Sequence, residues 1–153
     1  MFRLKRLSEN RDCNFSIHSW SWLGGEKMKV IEDYGRAIEN SDEYLFKQFF
    51  APQVCVEIPA GAIFDQPANA AAYQLSQVAK TAPGIKCTLA ADAGNNWHLL
   101  RFDGQLEGRK LQAIDQVHLD ENGKIDHLII YMRPIPVAVK FAEAISRRLQ
   151  PAN

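Results

Sequence analysis

The stretch Arg109–Pro134, RKLQAIDQVHLDENGKIDHLIIYMRP, leaves this chain little choice of fold. Two long runs of alternating apolar and polar residues flank Asn122-Gly123, and Asn-Gly between such runs is the strongest short-range hairpin signal. Side chains on a strand alternate with period 2, so Leu111, Ala113, Val117 and Leu119 share one face. Asp115 sits in the middle of that face. A carboxylate there is either a paired structural group or a working one, because an unpaired buried charge is costly.

Turn type sets register, and register sets faces. Two-residue turns at Asn122-Gly123 and Glu107-Gly108 place Asp115 opposite Ile130 and Leu100. They place Val117 opposite Leu128 and His98, and Ala113 opposite Met132 and Phe102. The face so defined is apolar except for His98 and Asp115. The other face carries Arg101, Gln112, Ile114, Gln116, His118, His127, Ile129 and Tyr131, an amphipathic set suited to a partner. A one-residue bulge at the Asn-Gly turn would instead bring His127 and Tyr131 beside Asp115. His118 faces His127, but two imidazoles fall short of the three or four ligands of a zinc site, so no metal is expected.

The rest of the chain supplies helices for the apolar face. Val30, Ile31, Tyr34, Ala37 and Ile38 recur at helical spacing over Met28–Glu39. Asn40-Ser41-Asp42 is a turn and cap cluster. A short helix over Glu43–Phe50 follows, then a strand over Gln53–Ile58 with Val54, Val56 and Ile58 on one face. A loop through Ile63-Phe64-Asp65, with Asp65 as a cap, leads to a helix from Pro67 to about Thr81. Strands over Ile85–Ala91 and Trp97–Leu106 precede the hairpin, and a helix over Val137–Leu149 ends the chain. This order predicts an α+β fold, with helices gathered on one face of a curved, mainly antiparallel sheet.

A length of 153 residues suits one domain. The 18 basic and 18 acidic residues cancel, which argues against a nucleic-acid or membrane-surface role. No apolar run approaches the ~18 residues of a membrane span. The three cysteines are odd in number and widely spaced, the pattern of reduced thiols in a cytoplasmic protein. Cys55 and Cys87 fall in strand-like runs and are expected as buried, inert thiols. Residues 1–27 lack a sustained period and are expected to form a poorly packed arm, with Trp20 and Trp22 docking on the domain of residues 28–150. Gly24-Gly25-Glu26 codons can spell a purine-rich ribosome-binding site, which makes Met28 a candidate native start.

Three segments in order, EDYGRAIENSD, FFAPQVCVEIP and IDQVHLDENGKIDHL, resemble the nuclear transport factor 2-like superfamily. More narrowly they resemble its SnoaL-like and ketosteroid-isomerase-like members. The resemblance implies a cone-shaped curved sheet wrapped by helices around an apolar pocket, and a homodimer through the sheet's outer face. Tyr34 then matches the oxyanion-hole tyrosine of the isomerases and Asp115 their oxyanion-hole acid, a carboxyl kept neutral by apolar surroundings. The isomerase base position falls on Ile58, and Glu57 points to the opposite face, so ketosteroid isomerisation is not expected.

On this reading Val56, Ile58, Leu100, Phe102, Ala113, Val117, Leu128, Ile130 and Met132 line a pocket for a small hydrophobic, carbonyl-containing ligand. Asp115 donates or accepts the proton, Tyr34 donates to the developing oxyanion and His98 is an accessory base. No cofactor is expected. The alternatives are a non-catalytic ligand-binding or dimerising module, in which Asp115 merely bonds Tyr34 or His98 in the core, and epoxide hydrolysis. The last requires an Asp/Arg/Asp cluster that the proposed inner face lacks.

Overall fold

The computed structural model describes residues 25–59 and 61–150. The arm's Trp20 and Trp22 lie outside them.

Helix α1 (Glu26–Asn40) starts two residues before Met28 and buries Ile31, Tyr34, Gly35, Ala37 and Ile38. Ser41 adopts a left-handed conformation (φ 54), and the N–H groups of Ser41 and Asp42 close onto the carbonyls of Ile38 and Ala37. Asp42 caps α2 (Glu43–Phe49) by accepting the Leu45 N–H at 2.9 Å. Strand β1 (Phe50–Glu57) begins at Phe50, which helical spacing alone assigns to α2. Pro52 is therefore inside a strand and not merely a helix stop. It is tolerated because the pairing of β1 is irregular between Phe50 and Cys55.

The expected loop through Asp65 is a short edge strand, β2 (Ile63–Pro67), antiparallel to β1. Asp65 is consequently no helix cap: it stands on β2 opposite Cys55, and the N-cap of α3 (Ala68–Thr81) is Pro67, without a side-chain bond. Strands β3 (Lys86–Gly94), β4 (Trp97–Leu106), β5 (Arg109–Leu119) and β6 (Ile125–Arg133) follow, then α4 (Ile135–Leu149). The six strands form one sheet in the order β2-β1-β6-β5-β4-β3. All pairs are antiparallel except β1 with β6, which run parallel.

The expected register holds at every position around Asp115, which pairs with Leu100 and with Ile130. Glu107 and Gly108 form a two-residue turn with φ of 50 and 75, the left-handed pair that matches strand twist. The Asn-Gly turn differs from expectation at its tip. The Asp120 N–H donates to Lys124 O at 2.8 Å, and Leu119 pairs with Ile125, so the loop spans three residues. One unpaired residue, Asp126, then restores the register before His118 meets His127. A longer loop and a bulge cancel, and Asp115 stays on the apolar face.

That face, under the helices, carries the hydrophobic core of Ile31, Tyr34, Phe46, Phe49, Val54, Val56, Leu75, Leu100, Phe102, Val117 and Leu128 with their neighbours. Among the described residues no helix is long and apolar enough to cross a membrane.

Candidate active site

Tyr34 occupies the middle of the buried stripe of α1, and Asp115 the middle of β5. Helix packing brings these residues, 81 positions apart, into direct contact: the Tyr34 hydroxyl donates to Asp115 Oδ2 at 2.5 Å. Tyr34 is 0% exposed and Asp115 4%. The tyrosine ring is held edge-on by Phe46, Phe49 and Phe102, with centroids 5.8, 6.1 and 6.5 Å away. The phenol therefore has little freedom to leave the carboxyl.

Among the described residues no cation offsets the Asp115 charge. Burial pushes its pKa up to about 7, and the Tyr34 hydrogen bond partly opposes that rise. Burial, reinforced by the Asp115 charge and hydrogen bond, raises the Tyr34 hydroxyl well above its ordinary value. Near neutral pH the pair thus offers a phenol that keeps its proton and a carboxyl poised to give one up.

His98 shares this face and is 3% exposed, but it makes no hydrogen bond to Asp115. Among the described residues neither of its ring nitrogens has a partner, and burial lowers its pKa, so the ring is held neutral. The expected direct acid/base couple of His98 and Asp115 is not made. Nor is His98 the hydrogen-bonded core histidine that is its commoner form.

The expected pocket wall is packed core. Val56, Leu100, Phe102, Ala113, Val117, Leu128 and Ile130 are buried against one another, with Ile58 and Met132 half-buried at the margin. Ile58 stands just past the end of β1. Two depressions open elsewhere. One, of about 860 Å³, lies at the sheet end near Pro83, Arg101, Lys110 and Arg133. The other, of about 250 Å³, is lined by Glu32, Gly35, Arg36, Glu39, Cys87 and Leu100. It stops at Leu100, the cross-strand partner of Asp115. The Cys87 thiol there is pushed by burial to about 12, which makes it a poor nucleophile.

Cys55 and Cys87 both depart from the expected burial: Cys87, like Cys55, is only half-buried. Cys55 is half-buried and open to the outer face, not sealed in the core. Glu57 does turn to the outer face, and there it accepts the His127 Nε2–H at 2.7 Å. The signal for this grouping was the parallel pairing of β1 with β6, which no turn specifies.

No family model and no curated protein matches the sequence. Solved structures do. A steroid delta-isomerase from Pseudomonas aeruginosa superposes with a TM-score of 0.74 at 20% identity, over 82% of this chain and 93% of that one. An NTF2-like protein of unknown function from Cytophaga hutchinsonii gives a TM-score of 0.58 at 16% identity, over 72% and 93%. The fold is nuclear transport factor 2-like. The epoxide hydrolase/cyclase-like enzyme SalBIII, of pyran ring formation in the polyether salinomycin, gives a TM-score of 0.57 at 15% identity, over 70% and 90%. Enzymes named for isomerisation and for cyclisation thus share the nuclear transport factor 2-like fold with proteins of unknown function. In this chain the first helix packs against β3 and β4, and from there Tyr34 reaches Asp115 on β5.

Proposed function

We propose that the Tyr34–Asp115 pair receives the carbonyl oxygen of a small hydrophobic ligand, in an acid/base isomerase or cyclase of SnoaL-like type. The supporting observation is the buried 2.5 Å hydrogen bond between a phenol and a carboxyl whose pKa is about 7. In the free protein the single phenol proton goes to Asp115. A ligand oxygen seated at the pair would draw the Tyr34 O–H to itself, alongside the proton of the neutral carboxylic acid, and fixed donors in a water-excluded site stabilise a developing enolate far better than water does. Asp115 also exchanges a proton at neutral pH, which suits aldol-type ring closure or enol isomerisation. Ile58 supplies no base, so the double-bond shift of a steroid isomerase is not the proposed reaction. His98 serves as accessory base only with a ligand lying between it and Asp115. Access runs through the 250 Å³ depression, by rotation of the Leu100 side chain that separates it from the carboxyl.

Close packing of Val56, Leu100, Val117 and Leu128 favours a second reading, a non-catalytic dimerising module in which the Tyr34–Asp115 bond only fixes α1 on the sheet. Epoxide hydrolysis fits less well, because among the described residues Asp115 is the single buried acid and no buried arginine accompanies it. The test is a thermal-shift screen of cyclic enones and β-diketones, followed by turnover of each binder. Asp115→Asn keeps a hydrogen-bond donor but cannot exchange a proton, and should lower turnover by about 100-fold or more, the scale of general acid–base catalysis. Full turnover by that variant excludes the catalytic role, and binders that are never turned over support the second reading.

A further inference from the structure

The outer face of the sheet carries a row of side chains in register across five strands: Asp65 on β2, Cys55 on β1, His127 on β6, His118 on β5 and Trp97 on β4. Glu57, two residues beyond Cys55 on β1, joins the row from above. The Cys55 thiol, a Glu57 carboxylate oxygen and a His127 ring nitrogen all lie within 4.8 Å of one another. We propose that Cys55, Glu57 and His127 form a zinc site on the outer sheet face, with Asp65 or a water as the fourth ligand.

A Glu57–His127 bond alone would be an ordinary half-exposed pair. The thiol turned onto the same point distinguishes it, because sulfur, nitrogen and oxygen then converge from two adjacent strands. Cys55 and Glu57 are i and i+2 on one strand, so the pleat sends both the same way. Parallel pairing sets His127 directly beside Cys55. Zinc takes thiolate at about 2.3 Å and imidazole or carboxylate at about 2.0–2.2 Å, which puts tetrahedral ligand atoms roughly 3.3–3.6 Å apart. The Glu57 oxygen and His127 Nε2, now 2.7 Å apart, would have to separate slightly, and the thiol, within 4.8 Å of both, to draw in. Borderline and soft donors select zinc over magnesium or calcium.

With water as the fourth ligand the charges balance: one thiolate and one carboxylate neutralise the dication. Binding releases the Cys55 thiol proton to solvent, while the His127 proton moves from Nε2 to Nδ1 and leaves the imidazole neutral. In the metal-free protein the Cys55 thiol keeps its proton, because burial and the neighbouring Asp65 and Glu57 carboxylates raise its pKa. The Trp97 ring, 5.2 Å from the His127 ring, limits imidazole rotation. His118 belongs elsewhere, since its Nδ1 is bonded to Asp126 Oδ1 at 2.6 Å.

The experiment uses the full chain with Cys13→Ser, stripped with chelator, and titrates Zn2+ against a chromophoric competitor. Co2+ serves as a second probe. The expected result is one Zn2+ per chain, a thiolate-to-cobalt charge-transfer band, and Zn2+ protection of Cys55 from alkylation. Cys55→Ser and His127→Gln should each weaken Zn2+ binding by roughly tenfold or more, the scale set by losing a ligand. His118→Gln should leave it within about threefold. Circular dichroism of each variant confirms that the sheet is intact. The proposal is overturned if Zn2+ does not bind, if Cys55→Ser binds as the parent does, or if His118→Gln loses as much as His127→Gln, which would place the ion between the facing imidazoles.

Discussion

Asp115 is the residue on which stability and chemistry meet. Its folded-state pKa of about 7 lies above the ordinary carboxyl value of 3.8. The neutral carboxyl therefore stabilises the fold fully below about pH 4, and that stability is lost as pH rises through about 7. The slope approaches about 1.4 kcal/mol per pH unit inside this window. His98, held neutral with a lowered pKa, contributes the opposite slope below its ordinary value, so the parent curve alone is ambiguous. The difference between the parent and Asp115→Asn isolates the carboxyl. Urea unfolding at pH 4, 5.5 and 7 should show the parent losing stability relative to the variant at each step. Parallel curves would mean that Asp115 is ionised and paired in the folded protein. The sequence made this acid conspicuous, because a lone carboxyl broke an alternating apolar run. It could not show that His98 stands apart from Asp115, since sharing a face does not fix the separation along it.

At the scale of elements, legibility followed the strength of the local signal. Strands β4, β5 and β6 have the expected bounds, because long alternating runs and turn residues delimit them. Strand β2 was not legible: five residues ending in proline, with Ile63 and Phe64 exposed, show no alternation of burial. The parallel β1–β6 register was equally hidden, as no hairpin links those strands, and with it went the meeting of Cys55, Glu57 and His127. Close approach between elements also left only a faint trace in the sequence. A Cβ added at Gly104 on β4 would lie 3.1 Å from Ile85 Cγ1 and 3.3 Å from Ile85 Cα, at the junction of α3 and β3. Gly104→Ala should cost about 1–3 kcal/mol as backbone is pushed apart. It should lower the urea midpoint with an unchanged m-value.

At the scale of the whole molecule, the outer sheet face carries a second register row, Leu89, Arg101, Ile114 and Tyr131, in which the three uncharged residues are 52, 42 and 52% exposed. Self-association through this face predicts that Ile114→Lys shifts sedimentation equilibrium toward monomer with the circular dichroism unchanged. A parent that is monomeric at every concentration would remove that expectation. The β1–β6 pairing has a consequence of another kind. One edge of strand β1 is covered at once by β2, but its other edge finds a partner only in β6, in the last third of the chain. During synthesis Phe50 must leave the ribosome well before Ile125, its partner on β6, exists to pair with it. Until β6 is made, that edge of β1 stays open, the kind of unpaired edge that makes incompletely folded chains prone to aggregate. The Tyr34–Asp115 bond can close only once the sheet that carries Asp115 has been made.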